Sequence, residues 1–158
     1  EAIRYYSGTA VYRKLFDCPL PTAHCPLSLS LGEFKGIAEV WLNGKNLGTV
    51  WCAPWQIEMT DAVKKGANEL EIRMANCWPN RLIGDEKLPQ DAEFEKNPLG
   101  GGMLKSWPKW LLDKNTPRTS GRRTFATYKH WNGTEPLQPS GLLGPVRVMR
   151  TERTGEQP

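Results

Sequence analysis

The stretch AEVWLNGKNLGTVW, residues 38–51, decides the fold because it joins alternating side chains to a tight turn. Ala38, Val40 and Leu42 share one face of a strand, since successive side chains of a strand point to opposite faces. The dipeptide Asn43-Gly44 tolerates the positive φ angles of a two-residue hairpin turn. The stretch therefore predicts an antiparallel hairpin with one buried face.

The same alternation recurs along the chain and favours an all-β protein. Short alternating strands separated by Gly, Asn and Pro, with almost no helical period, are typical of an antiparallel β-sandwich. One helical turn is predicted at residues 62–65. Besides the hairpin, strands are predicted at residues 9–16, 27–31, 69–74, 123–131 and 146–150.

The length of 158 residues predicts one sandwich domain, residues 1–158, with a long insertion at about 82–121. A domain of this size buries roughly 70% of its unfolded surface. We expect the insertion to be ordered, because SWPKWLL at residues 106–112 holds apolar side chains that favour burial. The sequence opens on Glu1 without an apolar leader, which is expected of a processed form or of a segment of a longer protein. We expect the segment, because so small a chain without a visible catalytic grouping resembles a module. No apolar run approaches the roughly 20 residues that span a bilayer.

The charge changes sign along the second half of the chain. Five acids and one base lie between residues 85 and 95, whereas seven bases and one acid lie between residues 105 and 129. A basic stretch with interleaved Trp suits an acidic polymer, either a nucleic acid or a uronate-containing polysaccharide. The alternative is two solvated loops of opposite sign that face each other.

The sequence predicts no metal or cofactor, although a structural calcium stays open. The four cysteines lack the spacing of a zinc site. Cys18 and Cys25 bracket a short Pro-rich loop, and a local disulfide between them suits an exported protein. Cys52 and Cys77 are expected to be buried thiols.

Several motifs resemble, in order, the sugar-binding jelly-roll domain of glycoside hydrolase family 2, of the galactose-binding-like class. These are YSGTAVYRKLF, LSLGE, the hairpin, APW, IEMTDAV and GANELEIRMAN, within residues 6–76. The later motifs NCWPNRLIGDEKLP, SWPKWLL, SGRRTFATYKHW and PSGLLGPVRV are similar to the C-terminal sandwich of bacterial family 106 α-L-rhamnosidases. The resemblance implies an exported module, in the bacterial periplasm, at the cell surface or outside the cell, whose catalytic residues lie in a separate barrel domain.

The candidate binding residues are aromatic rings, which stack on the C–H faces of sugars, and forked polar groups, which pair with hydroxyls. Trp78, Asn80 and Arg81 are expected on a loop after a strand, because Pro79 ends the ladder. In the alternative, Arg81 pairs with Asp85 and Trp78 plugs the sandwich end. Further candidates are Tyr128, His130, Trp131, Trp107 and Trp110, with Trp41 and Trp51 as the lesser ones.

Each of these rings also has a structural interpretation. Trp107 and Trp110 share a face if a helical turn forms after Pro108, and they could clip the insertion in place. In a strand, Tyr128 and His130 would face one side and Trp131 the other. Trp55 is expected to seal the core.

The leading hypothesis is a non-catalytic carbohydrate-binding module of a larger rhamnosidase-like enzyme, which binds plant cell-wall glycans such as pectin. The alternative is a structural domain that packs on its parent catalytic domain without binding sugar. Catalysis by this chain is not expected, since the acidic run lacks a frame that would hold two carboxyls across a cleft. Neither a nucleic-acid reading element nor a membrane partner is predicted.

Overall fold

The computed structural model describes residues 3–19 and 26–150. The chain divides into two compact units. The sandwich unit comprises Gly8–Cys77 and Pro139–Pro158, and the pocket unit comprises Glu1–Ser7 and Trp78–Gln138. The predicted insertion at about 82–121 lies inside the pocket unit.

The described residues form twelve short strands and two short helices. The strands are β1 (Thr9–Cys18), β2 (Leu27–Ser30), β3 (Glu33–Lys35), β4 (Ile37–Leu42), β5 (Lys45–Val50), β6 (Gln56–Glu58), β7 (Gly66–Ala75), β8 (Phe94–Lys96), β9 (Gly102–Leu104), β10 (Tyr128–Lys129), β11 (Gly141–Gly144) and β12 (Arg147–Arg150). The helices are α1 (Pro79–Asp85) and α2 (Lys109–Leu112).

The sandwich unit is built from antiparallel sheets. One sheet has the strand order β1-β7-β4-β5, a second has the order β12-β2-β6, and β11 pairs with β3. The prediction of an all-β antiparallel sandwich is confirmed. The pocket unit contains α1, α2 and a three-stranded sheet of order β10-β9-β8.

The core of the sandwich unit consists of the alternating apolar residues that the sequence pattern identifies. Ala38, Val40 and Leu42 of β4 have no exposed surface. The inward residues of the neighbouring strands complete the cluster; they include Leu27, Leu29, Leu31, Leu70, Ile72 and Met74. One face of each strand is thus buried, as a half-buried strand requires.

The hairpin turn also fastens β4 to β7. Asn43 adopts a φ of 52° and Gly44 a φ of 79°, as the turn requires. The Asn43 amide donates to the side chain of Asn68 and to the carbonyl of Ala62, at 2.9 and 2.8 Å. Asn68 is 1% exposed, and it also bonds the backbone of Lys64. These bonds satisfy the amides that burial would otherwise leave without partners.

Two of the predicted secondary-structure elements were wrong. The predicted strand over 123–131 shrinks to β10, because the amides of Arg123 and Thr124 donate to the side chain of Asp85 instead of a ladder. The predicted helical turn at 62–65 is a non-helical turn, in which the amides of residues 62 and 63 both donate to the Met59 carbonyl.

The expected burial of two thiols was also wrong. Cys52 and Cys77 are both exposed. Each lies outside a strand, just after β5 or β7, so no neighbouring sheet covers it. Cys25 falls outside the described residues, so the disulfide between Cys18 and Cys25 stays a prediction. None of the helices in the described residues is long and apolar enough to cross a membrane.

Candidate functional site

The predicted loop after β7 is in fact helix α1, which begins at Pro79. Proline suits a first helical position because its missing N–H has no partner there in any helix. Trp78 precedes the helix and is 57% exposed, so the alternative in which it is a buried plug was wrong. Asn80 is 7% exposed. Its side-chain amide donates to the carbonyl of Gln138 and accepts from the Gln138 N–H, both at 2.8 Å. Asn80 therefore has a structural role.

The last residue of α1, Asp85, anchors a distant stretch of the pocket unit. Its Oδ2 accepts hydrogen bonds from the amides of Arg123 and Thr124 and from the hydroxyl of Thr124, at 2.7–2.8 Å. Its Oδ1 lies 3.2 Å from Nε of Arg81, and this is the pair named in the alternative interpretation of Arg81. That contact lacks hydrogen-bond geometry, and neither atom has a hydrogen bond among the described residues. Arg81 is therefore held inside the unit rather than presented to a ligand.

The acidic stretch at residues 85–95 and the basic stretch at residues 105–129 pair with each other. Four of the seven bases form ion pairs with acids from residues 85–95. The pairs are Lys105–Glu93 at 3.4 Å, Arg118–Asp91 at 2.6 Å, Arg122–Glu86 at 2.8 Å and Lys129–Glu86 at 2.8 Å. The pattern of charges is therefore largely one of opposite signs that face each other. Among the described residues, the side chains of Lys109, Lys114 and Arg123 form no ion pair.

A pocket of about 90 Å³ lies within the pocket unit, and some members of these ion pairs line it. Three of the predicted binding residues, Tyr128, His130 and Trp131, line it together. The predicted alternation does not separate them, because β10 ends at Lys129 and the chain then leaves the strand. The remaining lining is mixed, and it includes Glu86, Asp91, Phe94, Arg122, Phe125 and Lys129.

The aromatic wall of the pocket has free polar edges. His130 and Trp131 meet edge to face, with ring centroids 5.0 Å apart. Neither the imidazole nor the indole N–H forms a hydrogen bond within residues 3–19 and 26–150. Tyr128 is different, because its hydroxyl donates to the carbonyl of Gly100 at 2.6 Å. A half-buried indole with an available N–H is a common way to contact a sugar ring and one of its hydroxyls.

Glu86 and Asp91 are ionised components of the pocket wall. Burial alone would raise the pKa of the Glu86 carboxyl, but hydrogen bonds from Arg122, Lys129 and Gln90 outweigh it and lower that pKa. The same balance lowers the pKa of Asp91, where Arg118 and Ser120 donate to the carboxylate. A general acid needs a raised pKa so that it keeps its proton near neutral pH. These two carboxyls have the opposite shift.

Trp107 and Trp110 pack inside the same unit rather than forming an open platform. Their rings contact Phe125, with centroids 6.1 and 5.3 Å away. The Trp110 indole donates to the carbonyl of Asp91 at 2.7 Å, and the Arg118 guanidinium lies 4.2 Å from its ring. Trp107 stays 56% exposed. The pair mainly supports Phe125, which lines the pocket.

The tryptophans of the hairpin lie in the sandwich unit, each in a different setting. Trp41 lies under the guanidinium of Arg73, at 4.7 Å from the ring, and its buried N–H lacks a partner in the described part of the chain. Trp51 follows β5 and is 68% exposed. Trp55 contacts Phe34 edge-on at 5.0 Å and is 39% exposed, so it caps the core only in part.

Sequence reasoning missed Glu86, Phe125 and Lys129 as members of the site. Glu86 and Lys129 were only counted as charges, yet the two stretches of opposite sign were the signal that such residues pair. Phe125 had no local signal, because its role depends on rings that are distant in the sequence. Among the described residues no group of three or more His, Cys, Asp or Glu could hold a metal ion.

Comparison with known proteins gives a consistent family signal. Residues 2–142 match the model of the glycosyl hydrolase 2 galactose-binding domain-like family. A curated protein of Formosa agariphila named "Putative beta-glucuronidase" is 51% identical over 150 residues. That alignment covers 94% of this chain and 12% of the Formosa protein.

Two solved structures illustrate the fold. A rhamnosidase from Novosphingobium sp. PP1Y is 33% identical, with a TM-score of 0.67, and the match covers 93% of this chain and 11% of that chain. A Bifidobacterium dentium β-glucuronidase, complexed with coumarin-3-O-glucuronide, has a TM-score of 0.50 at 19% identity, over 94% of this chain and 22% of that chain, and shows the fold alone. The chain therefore spans only a small part of these proteins, 12% of the Formosa protein and 11% of the rhamnosidase chain.

The lowered pKa of Glu86 makes a prediction for stability against pH. A carboxyl whose pKa is lowered by folding stabilises the folded state at pH values above its ordinary pKa of 4.5. That stabilisation is lost as the pH falls through the lowered pKa of the folded state. Glu86→Gln should therefore lower the free energy of unfolding in urea by about 1–3 kcal/mol at neutral pH. The gap to the unmodified chain should narrow at acid pH, as the pH falls through the lowered pKa and the Glu86 carboxyl takes up a proton.

The control is Glu95→Gln, which removes an exposed acid with no ion pair in the described residues. This variant should match the unmodified chain at neutral and at acid pH. A gap for Glu86→Gln that stays constant as pH falls would contradict the assignment of Glu86 as an ionised wall of the pocket.

Proposed function

This chain belongs to the glycosyl hydrolase 2 galactose-binding domain-like family, and on that premise we propose that it is a non-catalytic carbohydrate-binding module of a larger glycoside hydrolase. The observation that carries the proposal is the pocket that joins Tyr128, His130 and Trp131 to ionised polar groups. Sugar binding needs an aromatic surface together with a few directed polar groups, and this pocket supplies both.

The absence of catalysis is supported by the state of the two carboxyls in the pocket. Glycoside hydrolysis uses one carboxyl as a protonated acid and another as a nucleophile or base. Both Glu86 and Asp91 have lowered pKa values and are held by arginines. Neither is suited to keep a proton for a leaving group. We therefore assign bond cleavage to another part of the parent protein.

The proposed ligand is a plant cell-wall glycan, with pectin-type rhamnoside polymers as the first candidates. This choice rests on the likeness to a rhamnosidase and to a protein named as a glucuronidase. The side chains of Lys109, Lys114 and Arg123 form no ion pair in the described part of the chain, and in this proposal they contact uronates of such a polymer outside the pocket. An enzyme with these substrates would act after export, in the periplasm, at the cell surface or outside the cell.

The direct test of this proposal is loss of glycan binding in Trp131→Ala, measured by calorimetric titration with rhamnogalacturonan fragments. Removal of the ring should weaken binding about tenfold or more, since a stacked ring contributes on the order of 1.4 kcal/mol. Trp131→Phe keeps an aromatic surface and should retain most of the affinity. Trp51→Ala changes a more exposed ring in the sandwich unit and should bind like the unmodified chain. No binding by the unmodified chain at millimolar sugar would contradict the proposal.

A second candidate function is favoured by an apolar groove in the sandwich unit. The groove holds about 420 Å³ and lies between the inner face of β1 and β7 and the strands β2, β11 and β12. Tyr12 of β1 and Val148 of β12 line the groove and are 40% and 43% exposed. Both belong to edge strands, whose side chains stay accessible when nothing packs on the groove. In this candidate function, the groove packs on the catalytic domain of the same polypeptide, and sugar binding by this module is absent.

The groove makes its own prediction for the isolated chain. Val148→Lys places a charge in the groove and should reduce both the binding of an apolar fluorescent dye and self-association in sedimentation. Leu15→Lys is the matched control: Leu15 is 73% exposed but lies on the opposite face of β1. Leu15→Lys should reduce dye binding and self-association less than Val148→Lys does. Equal dye binding in both variants would contradict a role of this groove in docking.

A further inference from the structure

The ionised groups of the pocket are already neutralised by one another. The Arg122 guanidinium donates to Glu86 and to the carbonyls of Pro89 and Leu88, at 2.8–2.9 Å. The Arg118 guanidinium likewise donates to Asp91 and to the carbonyl of Thr124. A carboxylate ligand is best recognised by a free guanidinium fork. Neither arginine has its fork available, because the protein itself occupies it.

Two charged groups of the pocket retain hydrogen-bonding capacity. The Lys129 ammonium has three N–H donors, of which one points to Glu86 at 2.8 Å. The Glu86 carboxylate accepts from Arg122, Lys129 and Gln90, and it has about four acceptor positions. A donor and an acceptor are therefore presented side by side. Each hydroxyl of a sugar both donates and accepts, so two hydroxyls on neighbouring ring carbons match this pair.

A negatively charged ligand would fit this wall poorly. Its carboxylate would approach Glu86 and Asp91, two ionised carboxylates that line the same pocket. Like charges within a few ångströms oppose each other strongly where water is excluded, and a desolvated charge without a partner is costly. The cations beside these acids are already paired: Arg118 with Asp91, and Arg122 and Lys129 with Glu86. None of these three cations is left unpaired for the carboxylate of a ligand. The wall is suited to a neutral partner.

We propose that the pocket takes one neutral pyranose, whose adjacent hydroxyls bind Lys129 and Glu86 while its ring contacts Trp131, and that it rejects the corresponding uronate. The pocket is small, with a volume of about 90 Å³, and this size suits a single sugar unit rather than a run of sugars. This inference rests on the proposed function and refines it. In a glycan that mixes neutral and uronate units, the neutral unit occupies the pocket.

The test compares sugars that differ only at the exocyclic carbon. Methyl hexosides of the gluco, galacto and manno series are titrated against the unmodified chain, each beside its uronide and the neutral amide of that uronide. In the series that binds, we expect the hexoside to bind about tenfold or more tightly than the uronide at neutral pH. The amide should bind like the hexoside, because it removes the charge and keeps the shape.

The outcomes separate this inference from the function on which it rests. A uronide that binds as tightly as its hexoside, or more tightly, overturns the inference and leaves the proposed carbohydrate module intact. A failure of every sugar and amide to bind overturns both.

A variant adds an independent readout. Glu86→Gln removes one of the two negative groups and should reduce the preference for hexoside over uronide by about tenfold, while Glu95→Gln leaves that ratio unchanged. An unchanged ratio in a folded Glu86→Gln chain contradicts the role of Glu86. If Glu86→Gln does not fold, the comparison of amide with uronide on the unmodified chain still decides the inference.

Discussion

The pairing of an acidic stretch with a basic stretch is the interaction on which the pocket unit depends. Glu86 lies just after α1, and it is bridged by Arg122 and Lys129, more than thirty residues further along the chain. Asp85 adds three hydrogen bonds to the same distant segment. The unit contains only short helices and strands, and so small an apolar interior contributes little stability. Ionised side chains bonded to backbone groups and to each other hold its segments in register instead.

This arrangement connects the folding of the pocket unit to its chemistry. Because the carboxylates are tied up by arginines, their pKa values are lowered and they are poor proton donors. Because the arginines already donate to these carboxylates, they are poor binding partners for an anionic sugar. What remains available is an indole N–H, one side of an ammonium and one side of a carboxylate. That set suits hydroxyl groups, and it favours recognition of a sugar over its cleavage.

The sandwich unit could be predicted from the sequence because its signals are local. Alternation placed Val40, Ile72 and Met74 on buried faces, and Asn43-Gly44 marked the turn that the structure contains. The pocket unit could not be predicted in the same way. The predicted strand at 123–131 failed because Asp85, almost forty residues earlier, takes the backbone amides that a ladder would use.

The candidate site, too, could be predicted from the sequence only in part. Tyr128, His130 and Trp131 were identified by residue type, and the pocket does bring them together. Asn80 and Arg81 were identified by the same reasoning, but Asn80 is hydrogen-bonded to Gln138 and Arg81 is held beside Asp85 inside the fold. Residue type indicates what a side chain can bind, and only the tertiary structure shows whether that capacity is already used.

The central claim is that a neutral sugar ring meets Trp131 in the pocket. The most direct measurement is a nitrogen–proton correlation spectrum of the labelled chain during titration with a neutral methyl hexoside that binds. The chain has seven tryptophans, and each contributes one indole N–H signal. The account predicts that the Trp131 signal, assigned by its loss in Trp131→Phe, shifts most, while those of Trp41 and Trp51 stay in place. A shift of the Trp51 signal with Trp131 unmoved would contradict the account.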